Sequence, residues 1–125
     1  MKSILKHITI AILTFSIGIT LSFSYQAASR YQVRMAQEAE LKSELLLIRR
    51  SIDQYVNDYG FTPDSLSILV AAGYLQEIPV DPMTGQKDWR ENILCFCAGA
   101  CSCGVLEVNS ASTTISLDGI PYSKW

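Results

Sequence analysis

Four cysteines fall within nine residues: Cys95, Cys97, Cys101 and Cys103. The pattern C-x-C-x3-C-x-C is symmetric about Gly99. A hairpin turning at Ala98-Gly99-Ala100 sets Cys95 opposite Cys103 and Cys97 opposite Cys101. Residues two apart on a strand share a face, so the four sulfurs gather on one side of the ribbon. Two chemistries suit such a group. In an oxidising compartment the thiols close as disulfides, and Cys95–Cys103 with Cys97–Cys101 leads the three connectivities that four cysteines allow. The alternative is a four-thiolate zinc or iron site, for which the usual ribbon spacing is C-x-x-C rather than C-x-C. A redox role calls for an exposed thiol of lowered pKa, and no basic residue flanks the cluster closely.

The remaining residue types offer less. Asp81, Asp88, Glu91 and Asp118 are the carboxylates to weigh for calcium, an ion that needs several oxygen ligands. Asp81 and Asp118 read more simply as turn residues. No cofactor is expected, and calcium or zinc are the ions that the residue types would admit. Trp89 and Trp125 read as packing residues on a sheet rather than stacking platforms. The single histidine, His7, flanks an apolar segment. No Ser, His and acid arrangement resembles a catalytic triad, and the chain reads as a non-enzyme.

The elements that must position these residues divide sharply along the chain. It has 125 residues, 49% hydrophobic and 18% charged, with a net charge of −2. That net hides two unlike parts. Residues 1–37 contain no acid and carry Lys2, Lys6, Arg30 and Arg34, a charge of +4. Residues 38–125 carry −6. Intrinsic disorder is excluded by the high apolar content, and nucleic-acid binding through a basic surface by the acidic remainder.

Residues 8–29 form an uncharged run of 22. As a helix they extend about 33 Å, enough for a hydrocarbon core of roughly 30 Å. Lys2 and Lys6 favour a cytoplasmic N-terminus and export of the rest. A retained anchor is the preferred reading; the competing one is a signal peptide cleaved near Ala27-Ala28-Ser29. The expected division is a membrane helix over 1–29 and an exported domain over 30–125.

In the exported part, Leu41, Leu45, Ile48, Ile52, Tyr55 and Tyr59 make a stripe on one helix face. Glu38–Lys42 and Arg49–Asp53 are spaced for i,i+4 pairing. Gly60 ends this helix, which has no Pro or Gly back to Arg30 and so can continue into the membrane segment. Thr62-Pro63-Asp64 predicts a second helix start, with Thr62 as cap, and Gly73 predicts its end. Tyr74-Leu75 and residues 78–80 read as extended, and Asp81-Pro82-Met83-Thr84-Gly85 as a turn. Short strands are expected over 93–97, 104–109 and 113–117, with turns at Ser110-Ala111-Ser112 and Asp118-Gly119.

The order of these parts resembles the major pseudopilin of type II secretion systems and its relatives among type IV pilin-like proteins. The resemblance rests on the helix stripe ending in Tyr55, then Gly60 and Pro63. It continues through Ile78-Pro79-Val80-Asp81-Pro82-Met83-Thr84-Gly85 with Trp89, and through the ending around Asp118 and Gly119. It spans roughly residues 41–92 and 104–125 and leaves out the cysteine cluster. It implies an α+β, pilin-like fold: a long N-terminal transmembrane helix packed on a small antiparallel β-sheet. It implies a subunit anchored singly in the bacterial inner membrane, with its C-terminal domain in the periplasm, acting in protein secretion across the outer membrane. The implied partners are other pseudopilins, inner-membrane components of the secretion system and further copies of this chain, with no nucleic acid. The chain departs from the family at its N-terminus. The peptidase site, with a Glu shortly after Thr-Leu, has only Gly18-Ile19-Thr20-Leu21 as a counterpart, followed by Ser22-Phe23. The alternative is an independently anchored periplasmic binding or metal-binding module with a pilin-like fold.

Overall fold

One helix, α1, runs unbroken from Lys2 to Tyr59 in the computed structural model of the protein. The structure describes residues 1–97 and 101–125, and only the backbone of Ser24, Ala27, Phe96, Cys97, Cys101 and Ser102. After α1 come a short helix α2 (Leu66–Ala71), the strands β1 (Arg90–Cys97) and β2 (Cys101–Asn109), and a 3-10 turn at Tyr122–Lys124. The strands pair antiparallel as a two-stranded sheet. The class is therefore α+β, with a long N-terminal helix and a small antiparallel sheet.

The chain divides into two units, Met1–Met35 and Ala36–Trp125. In the first, the large apolar side chains from Ile4 to Met35 are exposed. Its helix is long and apolar enough to cross a membrane. Its hydroxyls turn back onto the helix: Thr9, Thr14, Ser16 and Thr20 donate to the carbonyls of Lys6, Ala11, Leu13 and Ile17, and Ser22 to that of Gly18. Polar groups satisfied within their own helix are compatible with hydrocarbon.

The second unit has a core. Leu41, Leu45, Ile48, Ile52 and Tyr55 from α1 are buried with Leu66 and Leu69 of α2, Leu75, Trp89, Val105 and Val108 of β2, and Tyr122. Tyr59, the last residue of the expected stripe, is half exposed but stays within an aromatic cluster with Tyr55, Phe61 and Tyr74. Both Val105 and Val108 reach the core although they are three positions apart. A bulge makes this possible: Asn92 pairs with Glu107 and Ile93 with Val105, which leaves Leu106 as an extra residue. Strand alternation would otherwise put the two valines on opposite faces.

Several local expectations are corrected. The second helix begins at Leu66 with Ser65 as its cap, not at Pro63. Pro63 is fully buried and its carbonyl accepts from Val105 N–H at 2.7 Å, so this stretch is held along β2 instead of coiling. The approach is close: a Cβ on Gly104 would lie 2.0 Å from Thr62 Oγ1. Tyr74-Leu75 is not extended. Gly73, with φ of 82°, turns the chain so that Gly73 N–H donates to Val70 and Tyr74 N–H to Leu69, a Schellman closure of α2. Residues 113–117 form no strand. Ser116 N–H donates to Ile120 and Tyr122 N–H to Thr114, so the segment folds on itself, leaving one isolated bridge between Ile115 and Pro121. The two helical ion pairs are also rerouted. Lys42 lies over the Trp125 ring, 4.5 Å from its centre, while Glu38 turns inward. Arg49 reaches Glu107 at 3.3 Å rather than Asp53.

Candidate functional site

The cysteine hairpin is built by strand register. Cys95 faces Cys103 and Cys97 faces Cys101 across β1 and β2. Cys95 and Cys103 are joined, with an S–S distance of 2.07 Å. The side chains of Cys97 and Cys101, and the expected turn at Ala98-Gly99-Ala100, lie outside the described residues. Cys95 and Cys103 are exposed, with Ile93, Leu94 and Leu106 exposed further down the ribbon.

The base of the ribbon is tied to α1 by polar links. Asn92 Nδ2 donates to Asn109 Oδ1 at 2.5 Å, and Asn109 Nδ2 donates to the main-chain oxygen of Trp125. The Arg49 guanidinium donates to that same oxygen at 2.6 Å and to the Val108 carbonyl at 3.0 Å. One arginine thus joins α1, β2 and the last residue.

Asp81 is fully buried in the loop before β1. Its Oδ1 accepts from Met83 N–H at 2.8 Å and its Oδ2 from Ser110 Oγ at 2.5 Å. The backbone of Asp81 pairs with Gln86 across a turn that Gly85 completes with φ of 70°. The aspartate therefore shapes its own turn, which contains Pro82, and fastens it to the end of β2. Nearby, Thr84 donates to Asp88 at 2.5 Å and Trp89 Nε1 to the Pro79 carbonyl at 2.8 Å. Asp118 and Gly119 occupy the turn closed by Gly119 N–H onto Ser116. Asp81, Asp88, Glu91 and Asp118 are not brought into one group: among the described residues no cluster of three or more His, Cys, Asp or Glu is placed to hold a metal ion. Asp81 directs both of its oxygens at protein donors.

Glu38, which sequence spacing assigns to a pair with Lys42, has its place in the body's interior instead. It is buried, and its Oε1 accepts from Leu117 N–H at 2.8 Å and from the Tyr122 hydroxyl at 2.7 Å. It pins the C-terminal segment to the start of the body's helix. Its spacing was the available signal, since Glu38 stands three residues before Leu41 on the apolar stripe. Two groups at the surface of the body, the partly buried Tyr74 and the exposed Glu77, have shifted titrations. The Tyr74 hydroxyl donates to Asp58 Oδ2 at 2.5 Å, and this bond pushes its pKa up to about 12. The hydrogen bond from Lys87 at 2.7 Å holds the Glu77 carboxyl below its ordinary value.

Two shallow grooves flank the body's part of α1. One, of about 410 Å³, is lined by Lys42, Leu46, Arg49, Ile120 and Trp125, with Asp118. The other, of about 380 Å³, is lined by Glu44, Leu47, Tyr74, Glu77 and Pro79 among others. They differ in sign: lysine and arginine dominate the first, and two glutamates the second.

No protein family, curated protein or solved structure matches this chain.

Proposed function

We propose that this chain is a pilin-like structural subunit of a type II secretion or type IV pilus-like assembly. In this reading α1 holds it in the bacterial inner membrane, and residues 36–125 stand in the periplasm beside other pseudopilins and inner-membrane components of the machinery. Its contribution is mechanical, and it assists protein secretion across the outer membrane. The observation that carries the reading is the single helix Lys2–Tyr59. Its first part is apolar and uncovered, and its second part lies in the core of a small body. A helix of this kind exchanges lipid for neighbouring helices without exposing new polar surface. The Pro79 to Gly85 string with Trp89 supports the same reading, since those residues form one interlocked loop.

Cross-linking in cells, followed by purification of the secretion machinery, tests it. Recovery of this chain with other pseudopilins is expected, and consistent failure to recover it overturns the proposal. One observation favours the second reading, an independently anchored periplasmic binding or metal-binding module. Residues 1–37 contain no acid, so the glutamate of the family's peptidase site has no counterpart among them. N-terminal sequencing of the mature protein separates the readings: prepilin-type cleavage supports the subunit, and an intact Met1 supports the fixed anchor.

A further inference from the structure

We infer that the outer edge of β1 is a pairing surface for a second copy of this chain, whose own β1 adds to it antiparallel across a two-fold axis. The inference stands apart from the proposed function, because a two-fold contact stops at a pair and builds no filament. It starts from the phase of the hydrogen bonds. In an antiparallel ladder, opposed residues alternate between pairs that exchange N–H···O bonds and closer pairs whose polar groups point away from each other. Val105 donates its N–H to the Pro63 carbonyl instead of to β1, so Ile93 and Val105 are a pair of the second kind. Cys95 and Cys103, two positions on, are in the same phase, and their Cα atoms lie 4.0 Å apart. The N–H and C=O of Ile93 and Cys95 therefore face outward from β1, and the register carries the pattern to Cys97. On β2 the Pro63 carbonyl takes the outward N–H of Val105. On β1 no group among the described residues takes those of Ile93 and Cys95, and the two-stranded sheet ends there.

Exposed edges are commonly guarded by charge, proline, a bulge or a covering segment. The charges of β1, Arg90 and Glu91, stand at its base, and residues 92–106 contain neither a charge nor a proline. The bulge of this sheet lies in β2, at Leu106. A second β1 matches the open edge in phase. With Cys95 of each copy on the axis, Ile93 of one copy stands opposite Cys97 of the other, and each of these opposed pairs exchanges both bonds. The same register sets Leu94 opposite position 96, a phenylalanine, so apolar residue types oppose each other on the second face. No like charges meet, because both strands are uncharged over this stretch.

The test uses the full chain in detergent micelles, with amide hydrogen exchange followed residue by residue by NMR at low and high ratios of chain to detergent. The Leu94 amide points into the β1–β2 ladder and should be protected at both. The Ile93 and Cys95 amides should exchange freely when copies are dilute and slow about tenfold when copies share micelles. Ile93→Pro deletes one outward N–H while leaving the bonds to β2 in place, and it should abolish the slowing at Cys95. Leu94→Lys, which keeps every main-chain donor and adds a charge at the edge, should reduce it too. An intact Cys95–Cys103 bridge by mass and unchanged protection of the Val105 amide show that the hairpin persists in both variants. Equal exchange of Ile93 and Cys95 at both ratios overturns the inference. Slowing that follows the detergent instead of the chain marks docking on a lipid-like surface and overturns it as well. So does slowing that survives both variants, which marks a contact away from this edge.

Discussion

Along one unbroken helix, residues 2–35 and residues 36–59 meet opposite demands. The first stretch is uncharged over residues 8–29, turns hydroxyls of that run back onto its own carbonyls, and buries none of its large apolar side chains within the chain. The second is apolar on one stripe only, and that stripe is the spine of the body's core. Backbone hydrogen bonding is the same throughout. The contrast teaches that helix formation here says little about environment, whereas the distribution of side chains around the axis says nearly everything. On the proposed placement in a membrane it also separates two stabilities: partition of the first stretch into lipid, and folding of the second with the loops it supports.

The sharpest way to break the comparison is Ile48→Ala. Ile48 is fully buried, and its truncation should cost the body about 2–5 kcal/mol, read as a fall in unfolding midpoint with membrane association unchanged. The reciprocal change is Ile17→Asp. A carboxylate in mid-membrane costs about 2.5–3.5 kcal/mol, so extraction into the soluble fraction should rise roughly a hundredfold while the body's unfolding midpoint stays in place. If either variant moves both readouts together, the two stretches are not independent.

Smaller changes sharpen the picture inside the body. Replacing Cys95 and Cys103 with alanine opens a link of sequence separation 8, and the chain-entropy model gives a loss of about 2.5 kcal/mol. Mass spectrometry of the unreduced chain, before and after that change, counts the bridges and locates Cys97 and Cys101 among them. Glu38→Ala removes the acceptor shared by Leu117 N–H and the Tyr122 hydroxyl. It should cost about 1–3 kcal/mol and raise hydrogen exchange at Leu117 before the rest of the core.

The mildest prediction concerns titration. The Tyr74 phenol, raised to about 12 by Asp58, binds its proton more tightly in the folded chain than in the unfolded one. Stability should therefore fall as pH climbs from about 10 towards that value. Asp58→Asn should bring the phenol back towards its ordinary range, followed by ultraviolet absorbance, with no measurable change at neutral pH.

Much of this was legible in the residues. The uncharged run, the stripe from Leu41 to Tyr55 and the glycines at 60, 73, 85 and 119 are local signals. Each acts through side-chain periodicity or a positive φ that glycine tolerates, and the last four all have positive φ. The mirror spacing of the cysteines likewise matches the register of β1 against β2. Three features were not legible. Pro63 looked like a helix start because its local chemistry fits one, and only the Val105 hydrogen bond to its carbonyl draws it away. Residues 113–117 alternate like a strand, but their backbone bonds go to Ile120 and Tyr122 just downstream, which leaves a single bridge at Ile115. Glu38 looked like half of a surface pair, and Tyr122 and Leu117, 84 and 79 residues away, drew it inward.

What the sequence by itself determined is therefore the part governed by neighbours along the chain: the length and polarity of α1, the two-residue rhythm of the hairpin, and the turns. The tertiary structure decided where polar groups spend their hydrogen bonds. Asp81, Arg49 and Glu38 carry charges that sequence spacing assigns to the surface or to adjacent turns. Burial makes an unmet donor or acceptor costly, so each carboxylate and the guanidinium are drawn to partners that only the folded chain brings within reach.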